Sequence, residues 1–156
     1  MNATHLHLLI NHLPVFGSAI AIVLLGWALM VRSRELTCAG LILTLVAGGG
    51  AFIARQSGHE AEEQTEKLPW ADRGIVHEHE EAADWAFILL SVAAVAGAVA
   101  LVRMRGARPA RVESTIVLVL LVLGFAAVAR AALLGGRIRH EEVRPGFVFP
   151  AGSEDD

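Results

Sequence analysis

The sequence predicts an all-α integral membrane protein, an up-down-up-down four-helix bundle with both termini outside. Three observations carry that expectation. Hydrophobic residues fill 54% of the 156 positions and the mean hydropathy is +0.54, more apolar surface than a soluble domain of this size covers with polar groups. These residues fall in four long blocks, each near the ~20 residues that a helix needs to cross a hydrocarbon core about 30 Å thick. The connections on one side are short, so successive helices run antiparallel.

The first span covers about 4–31, with Thr4 as a plausible N-cap and Arg32-Ser33-Arg34 closing it. Pro14 inside it predicts a mild kink, which membrane helices tolerate. Its start carries no positive charge and its apolar run is too long for a signal-peptide h-region, so it reads as a retained helix. The second span, about 36–56, contains Gly48-Gly49-Gly50, and a polar segment from Ser57 to about Arg73 follows, broken by Pro69. Asp72 then caps a third helix that starts near 73, passes through His77-Glu78-His79-Glu80-Glu81 and spans about 82–102. A basic loop holds Gly106 and Pro109, and the fourth span covers about 114–134, with Gly135-Gly136 as its stop. The polar tail, 137–156, reads as irregular and lying across the outer face, so that 1–156 form one membrane domain. Small residues at helical spacing, Gly17/Ala21, Ala93/Gly97 and Ala127/Ala131, predict close helix packing.

Charge orients the bundle. The two short loops hold Arg32, Arg34, Arg103, Arg105, Arg108 and Arg111 against Glu35 and Glu113, a net of +4. The other side carries the remaining seven basic and fourteen acidic residues, a net of −7. The positive-inside rule then places the short loops in the cytoplasm. Trp27, Trp70 and Trp85 fall near the span ends, as an aromatic belt requires. The single cysteine, Cys38, excludes an internal disulfide and a Cys-pair metal site, and the absence of C-x-x-C-H excludes covalent c-type haem. No nucleophile arrangement points to a hydrolase, and no basic patch calls for nucleic acid.

All seven histidines gather on the outer side. At ~1.5 Å per residue from the cytoplasmic end, His12 lies about 30 Å up and the others about 36–40 Å. Facing along the helices gives an inward set of His5, His12, His59 and His79, with His140 a further candidate. His5 and His12 share a stripe with Phe16, Ala19 and Gly26; His79 continues the stripe Ala82, Ala86, Ala93, Gly97 and Ala100. His7 then points elsewhere, near Asn11, and His77 faces away with Glu81 and Asp84.

Three readings of this constellation compete. In the first, histidines and glutamates solvate the helix ends and no cofactor is bound. The second is a b-type haem, with His12 and His79 as axial ligands, Gly17 and Gly48-Gly49-Gly50 where a ring edge passes, and Arg55 or Arg130 meeting propionates. In that case His12→Ala should lose more cofactor than His77→Ala. The third is a zinc, iron or copper site drawn from His12, His59, His77, Glu78, His79 and Glu81, which offer mixed imidazole and carboxylate ligands. Acidic residues near a helix N-terminus are also favoured by the macrodipole, which accounts for Glu78 and Glu81 without a metal. Arg55 and Arg130 each either snorkel to headgroups or pair with an inward carboxylate, and the deeper Arg130 is favoured for pairing.

Several strings carry a resemblance: His7-Leu8-Leu9-Ile10-Asn11-His12-Leu13-Pro14 (an H-x4-H-x-P opening), Ser57-Gly58-His59-Glu60-Ala61, His77-Glu78-His79-Glu80 and Gly135-Gly136-Arg137-Ile138-Arg139-His140. Together they resemble a group of small bacterial four-helix membrane proteins of unassigned function. The resemblance implies the four-span fold in a bacterial cytoplasmic (inner) membrane and a role for His7, His12, His59, His77 or His79, and His140. It brings no activity. The functional expectation is an electron carrier or respiratory-complex subunit with haem b near the outer face. An outer-face metal-binding protein and a cofactor-free accessory subunit are the alternatives. The partners expected are the bilayer and other membrane subunits or an extracytoplasmic redox protein.

Overall fold

The computed structural model describes residues 2–106 and 111–149. Arg108, Pro109 and the tail from Pro150 onward lie outside the described residues. The chain forms α1 (Ala3–Ile10), α2 (His12–Val31), α3 (Arg34–Thr65), α4 (Arg73–Arg103) and α5 (Arg111–Arg139), then a 3-10 turn at Glu141–Val143. α1 and α2 are one span interrupted at a single residue, so four helical rods result, each long and apolar enough to cross a membrane. Among the described residues there are no strands.

The interruption sits at Asn11, whose backbone angles stay helical, three residues before Pro14. Proline lacks an N–H and its ring crowds the carbonyl of the residue four before it, here Ile10, so the ladder breaks there. Asn2 is the N-cap, its side chain accepting from the His5 N–H; Thr4 instead bonds Gln64. Asp72 caps α4 as expected, accepting from Gly74 and Ile75.

Two helices overrun their expected ends. α3 continues through the polar segment to Thr65, and α5 passes through Gly135-Gly136 to Arg139. Glu, Gln and Ala are good helix formers even where they are polar, so the helix outlasts the apolar span. In α5, packing overrides the cost of two glycines.

The rods close into a ring, α2 on α3, α3 on α4, α4 on α5 and α5 on α2, while the diagonal pairs barely touch. The core is narrow and built on small residues. A Cβ on Gly48 would lie 2.6 Å from Ala94 Cβ and 3.1 Å from the Leu90 carbonyl oxygen, and one on Gly50 would meet Leu13 at 3.0 Å. Gly48 and Gly50 are therefore closed off by neighbouring helices, while Gly49 faces outward with nothing within 4 Å of an added Cβ. Gly17, Ala21, Ala93, Gly97 and Ala131 are buried as the spacing predicts, and Ala127 is half-buried. Large apolar side chains such as Ile20, Val23, Val95 and Val119 cover the outside of the rods. At the end opposite the histidines, Arg34 donates to the Met104 carbonyl and Arg103 pairs with Glu113 at 2.9 Å.

Candidate functional site: a pair of anchored imidazoles

His7 on α1 and His79 on α4 come from diagonal rods and meet across the bundle. Their ring centroids are 6.4 Å apart and their planes stand at 87°. Each ring is tethered to a backbone carbonyl of another helix. His7 Nδ1–H donates to the Ala54 carbonyl at 3.0 Å, and His79 Nδ1–H donates to the Ala131 carbonyl at 2.8 Å. A carbonyl can only accept, so both bonds require the proton on Nδ1, leaving Nε2 with a free lone pair on each neutral ring. Among the described residues neither Nε2 is hydrogen-bonded.

A glycine makes each tether sterically feasible. The acceptor carbonyls belong to helices in which residue i+4 hangs over the oxygen of residue i, because Cβ atoms tilt toward the N-terminus. Residue i+4 is Gly58 for Ala54 and Gly135 for Ala131. A Cβ on Gly58 would stand 3.2 Å from His7 Cε1 and Nδ1; one on Gly135 would stand 3.2 Å from His79 Cε1. One turn below His7, Asn11 Oδ1 is buried without a hydrogen-bond partner.

A second group lies on the α3/α4 side. Ligand atoms of His59, Glu62 and Glu80 fall within 4.8 Å of one another. Glu62 stands on the polar extension of α3, beyond the apolar span. Burial foremost, then the charge and hydrogen bond of Glu80 and the charge of Glu66, holds its carboxyl above the usual glutamate range, with His59 partly opposing this. Arg55 links this second group to Asp84, forming an ion pair with Asp84 and reaching Glu80 at 4.0 Å.

These placements correct several expectations. His79 points inward as expected, but its partner is His7, not His12. His5 and His12 are exposed, and His12 stacks on exposed Phe16 at 6.3 Å, so their stripe is the outer face of the rod. His59 is exposed and belongs to the acidic group. His77, 69% exposed, faces away as expected and reaches Glu81 at 3.5 Å, whereas Asp84, expected beside it, turns to Arg55. Glu78 and Glu81 are exposed and are not part of a shared ligand group. His140, 60% exposed, bonds Glu142 at 2.9 Å beyond the end of α5. That contact and the backbone N–H of Glu142 hold the Glu142 carboxyl below its usual range, the backbone contributing most. The inward carboxylate pairing belongs to Arg55; Arg130 is exposed, and no carboxylate among the described residues pairs with it.

Sequence reasoning misses Glu62, Glu80, Gly58 and Gly135 as site residues. The signal for His7 is a seven-residue ladder. His7, Pro14, Ala21 and Ala28 share one face just as His79, Ala86, Ala93 and Ala100 do, and all but the two histidines are fully buried. Comparison with family models, curated proteins and solved structures finds no match for this chain.

Proposed function

We propose that this chain is a multi-pass protein of the bacterial cytoplasmic membrane, N-out and C-out, that carries electrons through a b-type haem held by His7 and His79. The observation that carries the reading is the convergence of two anchored imidazoles from diagonal helices, each with Nε2 left over. Two imidazoles sharing one ion through facing nitrogens lie about 6 Å apart between ring centres, given metal–nitrogen bonds of about 2 Å. The observed 6.4 Å fits that span. Metal-bound histidines commonly donate their second ring N–H to a carbonyl or carboxylate, which fixes tautomer and orientation. Ala54 and Ala131 provide that contact here. When bound, a haem would supply a one-electron couple whose potential follows from its axial ligands and burial.

The chain's own residues do the rest. The carbonyls hold both rings, so no imidazole has to be ordered on binding. Pro14, Ala86 and the buried residues beneath them exclude water from below. The positive-inside charge asymmetry supports an outer-side position for the pair, where an extracytoplasmic redox protein or a larger respiratory assembly could exchange electrons with it.

A second reading rests on the His59, Glu62 and Glu80 group, whose imidazole and carboxylate donors suit zinc, iron or copper(II). One experiment separates the readings. Protein purified from cells with adequate haem supply should show a Soret band that sharpens on reduction, with split α/β bands. No such bands sinks the haem reading. Elemental analysis then decides between a metal-binding protein and a cofactor-free accessory subunit.

A further inference from the structure

The imidazole pair is the same construction made twice. His7 and His79 are separated by 72 residues, and His5 and His77, two residues before each, by the same 72. The acceptors Ala54 and Ala131 are separated by 77 residues, and so are the glycines Gly58 and Gly135. These two offsets come from hydrogen bonds and close contacts alone, so the burial pattern tests them independently. Shifted by 72, buried Pro14, Ser18, Ala21, Leu25 and Ala28 fall on buried Ala86, Leu90, Ala93, Gly97 and Ala100. Shifted by 77, five of the nine buried α3 residues, Gly40, Thr44, Ala47, Ala51 and Ser57, fall on buried Val117, Leu121, Gly124, Val128 and Leu134, and the other four fall on half-buried ones. A buried stripe recurs about every 3.6 residues, so one overlap is cheap. Two offsets, each fixed by chemistry and each reproducing five buried positions, are not.

The ring of helices has the matching symmetry. The hairpin α1/α2–α3 and the hairpin α4–α5 meet along two interfaces, α3 on α4 and α5 on α2, the more extensive being α3 on α4, and a two-fold rotation about the bundle axis would exchange them. His7 and His79 face each other across that axis.

We infer that the chain is a fused pair of equivalent hairpins and that its imidazole site consists of two equivalent half-sites, each a histidine, a helix carbonyl and a glycine one turn beyond, with Gly58 and Gly135 as positioning residues. The ligand centre then lies on the axis and presents the same chemistry to both rings. A single transition ion or the iron of a planar tetrapyrrole meets that condition; an organic ligand with unlike ends does not. The inference rests on the bis-imidazole reading for what the site holds, while the half-sites themselves can be tested without any ligand.

The test is nitrogen-15 NMR of histidine side chains in the full-length, ligand-free protein in detergent, with the two resonances assigned through His7→Gln and His79→Gln. Both rings should carry the proton on Nδ1. Gly58→Ala should shift the His7 ring and Gly135→Ala the His79 ring by comparable amounts. Gly136→Ala, whose added Cβ meets nothing within 4 Å, should shift neither. A neutral His7 or His79 ring protonated on Nε2 in place of Nδ1 overturns the inference, whichever glycine variants fold. So does a Gly58→Ala or Gly135→Ala substitution that leaves its own histidine unmoved. If these NMR results hold while haem and metal are absent from the native protein, the half-sites stand and the electron-transfer reading alone falls.

Discussion

The two interfaces between the hairpins share a backbone plan and differ in what they carry at the histidine end. The α3/α4 interface holds Arg55, His59, Glu62, Glu80 and Asp84, linked by the Arg55–Asp84 pair and the His59/Glu62/Glu80 group. By the same offsets, the positions that correspond at the α5/α2 interface are Ala132, Gly136, Arg139, Leu8 and His12. One side is a polar network; its counterpart is mostly apolar, with Leu8, His12 and Ala132 turned outward. The tethers of the imidazole pair, His7 to Ala54 and His79 to Ala131, lie inside the two hairpins and recur in each, so the pair belongs to the shared plan. The charged network belongs to one side only.

The largest expected effect comes from breaking the shared part. His7→Ala or His79→Ala should each lower bound haem by more than about tenfold, since even losing an outer-sphere partner of a ligand commonly costs 10–100-fold (~). His12→Ala and His5→Ala should leave haem content unchanged, measured as pyridine haemochrome per protein. A greater loss in His12→Ala than in His7→Ala would restore the sequence-based pairing and sink the one proposed. The 87° between ring planes sharpens the same point. Ferric protein should give a highly anisotropic low-spin EPR signal, the mark of perpendicular axial planes, where a rhombic signal would mean nearly parallel rings.

The one-sided network should respond separately. Glu62→Gln and Glu80→Gln should each weaken zinc binding by about tenfold, read by competition with a chromogenic chelator, and leave the haem spectrum intact. Unchanged zinc affinity in both variants would show that the three donors do not act together. Asp84→Asn removes the partner of Arg55. Both side chains are substantially exposed, so a stability loss of about 0.2–1 kcal/mol is expected, against none for His12→Ala at the corresponding position.

The comparison also explains what a linear reading of the chain can recover. Four helices long and apolar enough to cross a membrane are legible because the apolar blocks themselves reach that length. The cap at Asp72 is legible because an Asp stands just ahead of the helix, and the inward facing of His79 because the stripe it continues holds Ala82, Ala86, Ala93, Gly97 and Ala100. His7 is harder. Its ladder through Pro14, Ala21 and Ala28 competes with the stripe His5, His12, Phe16, Ala19 and Gly26, and the small size of Ala19 and Gly26 does not reveal that this stripe faces outward. Gly58 and Gly135 are harder still. A glycine near a helix end reads as a stop, and only the imidazole packed on it from another rod shows why it sits inside a continuing helix. Glu62 and Glu80 are separated by a loop, so their meeting is a tertiary fact.

The smallest effect expected is a pH dependence confined to the polar side. Burial and the neighbouring Glu80 raise the Glu62 carboxyl above its usual value in the folded chain. The folded state therefore binds more protons than the unfolded state across the window from the ordinary glutamate pKa up to the raised one. Stability must then fall as pH rises through that window and level off above it. Glu62→Gln removes the titrating group while keeping a hydrogen-bonding side chain, so it should flatten the slope and gain a little stability at neutral pH. The gain should stay within about 0.5 kcal/mol, because the group is largely solvent-screened. Thermal unfolding of metal-free protein at a series of pH values measures both curves. Parallel curves for the two proteins would mean that Glu62 and Glu80 do not crowd each other, and the case for a cation between them would lose its electrostatic support.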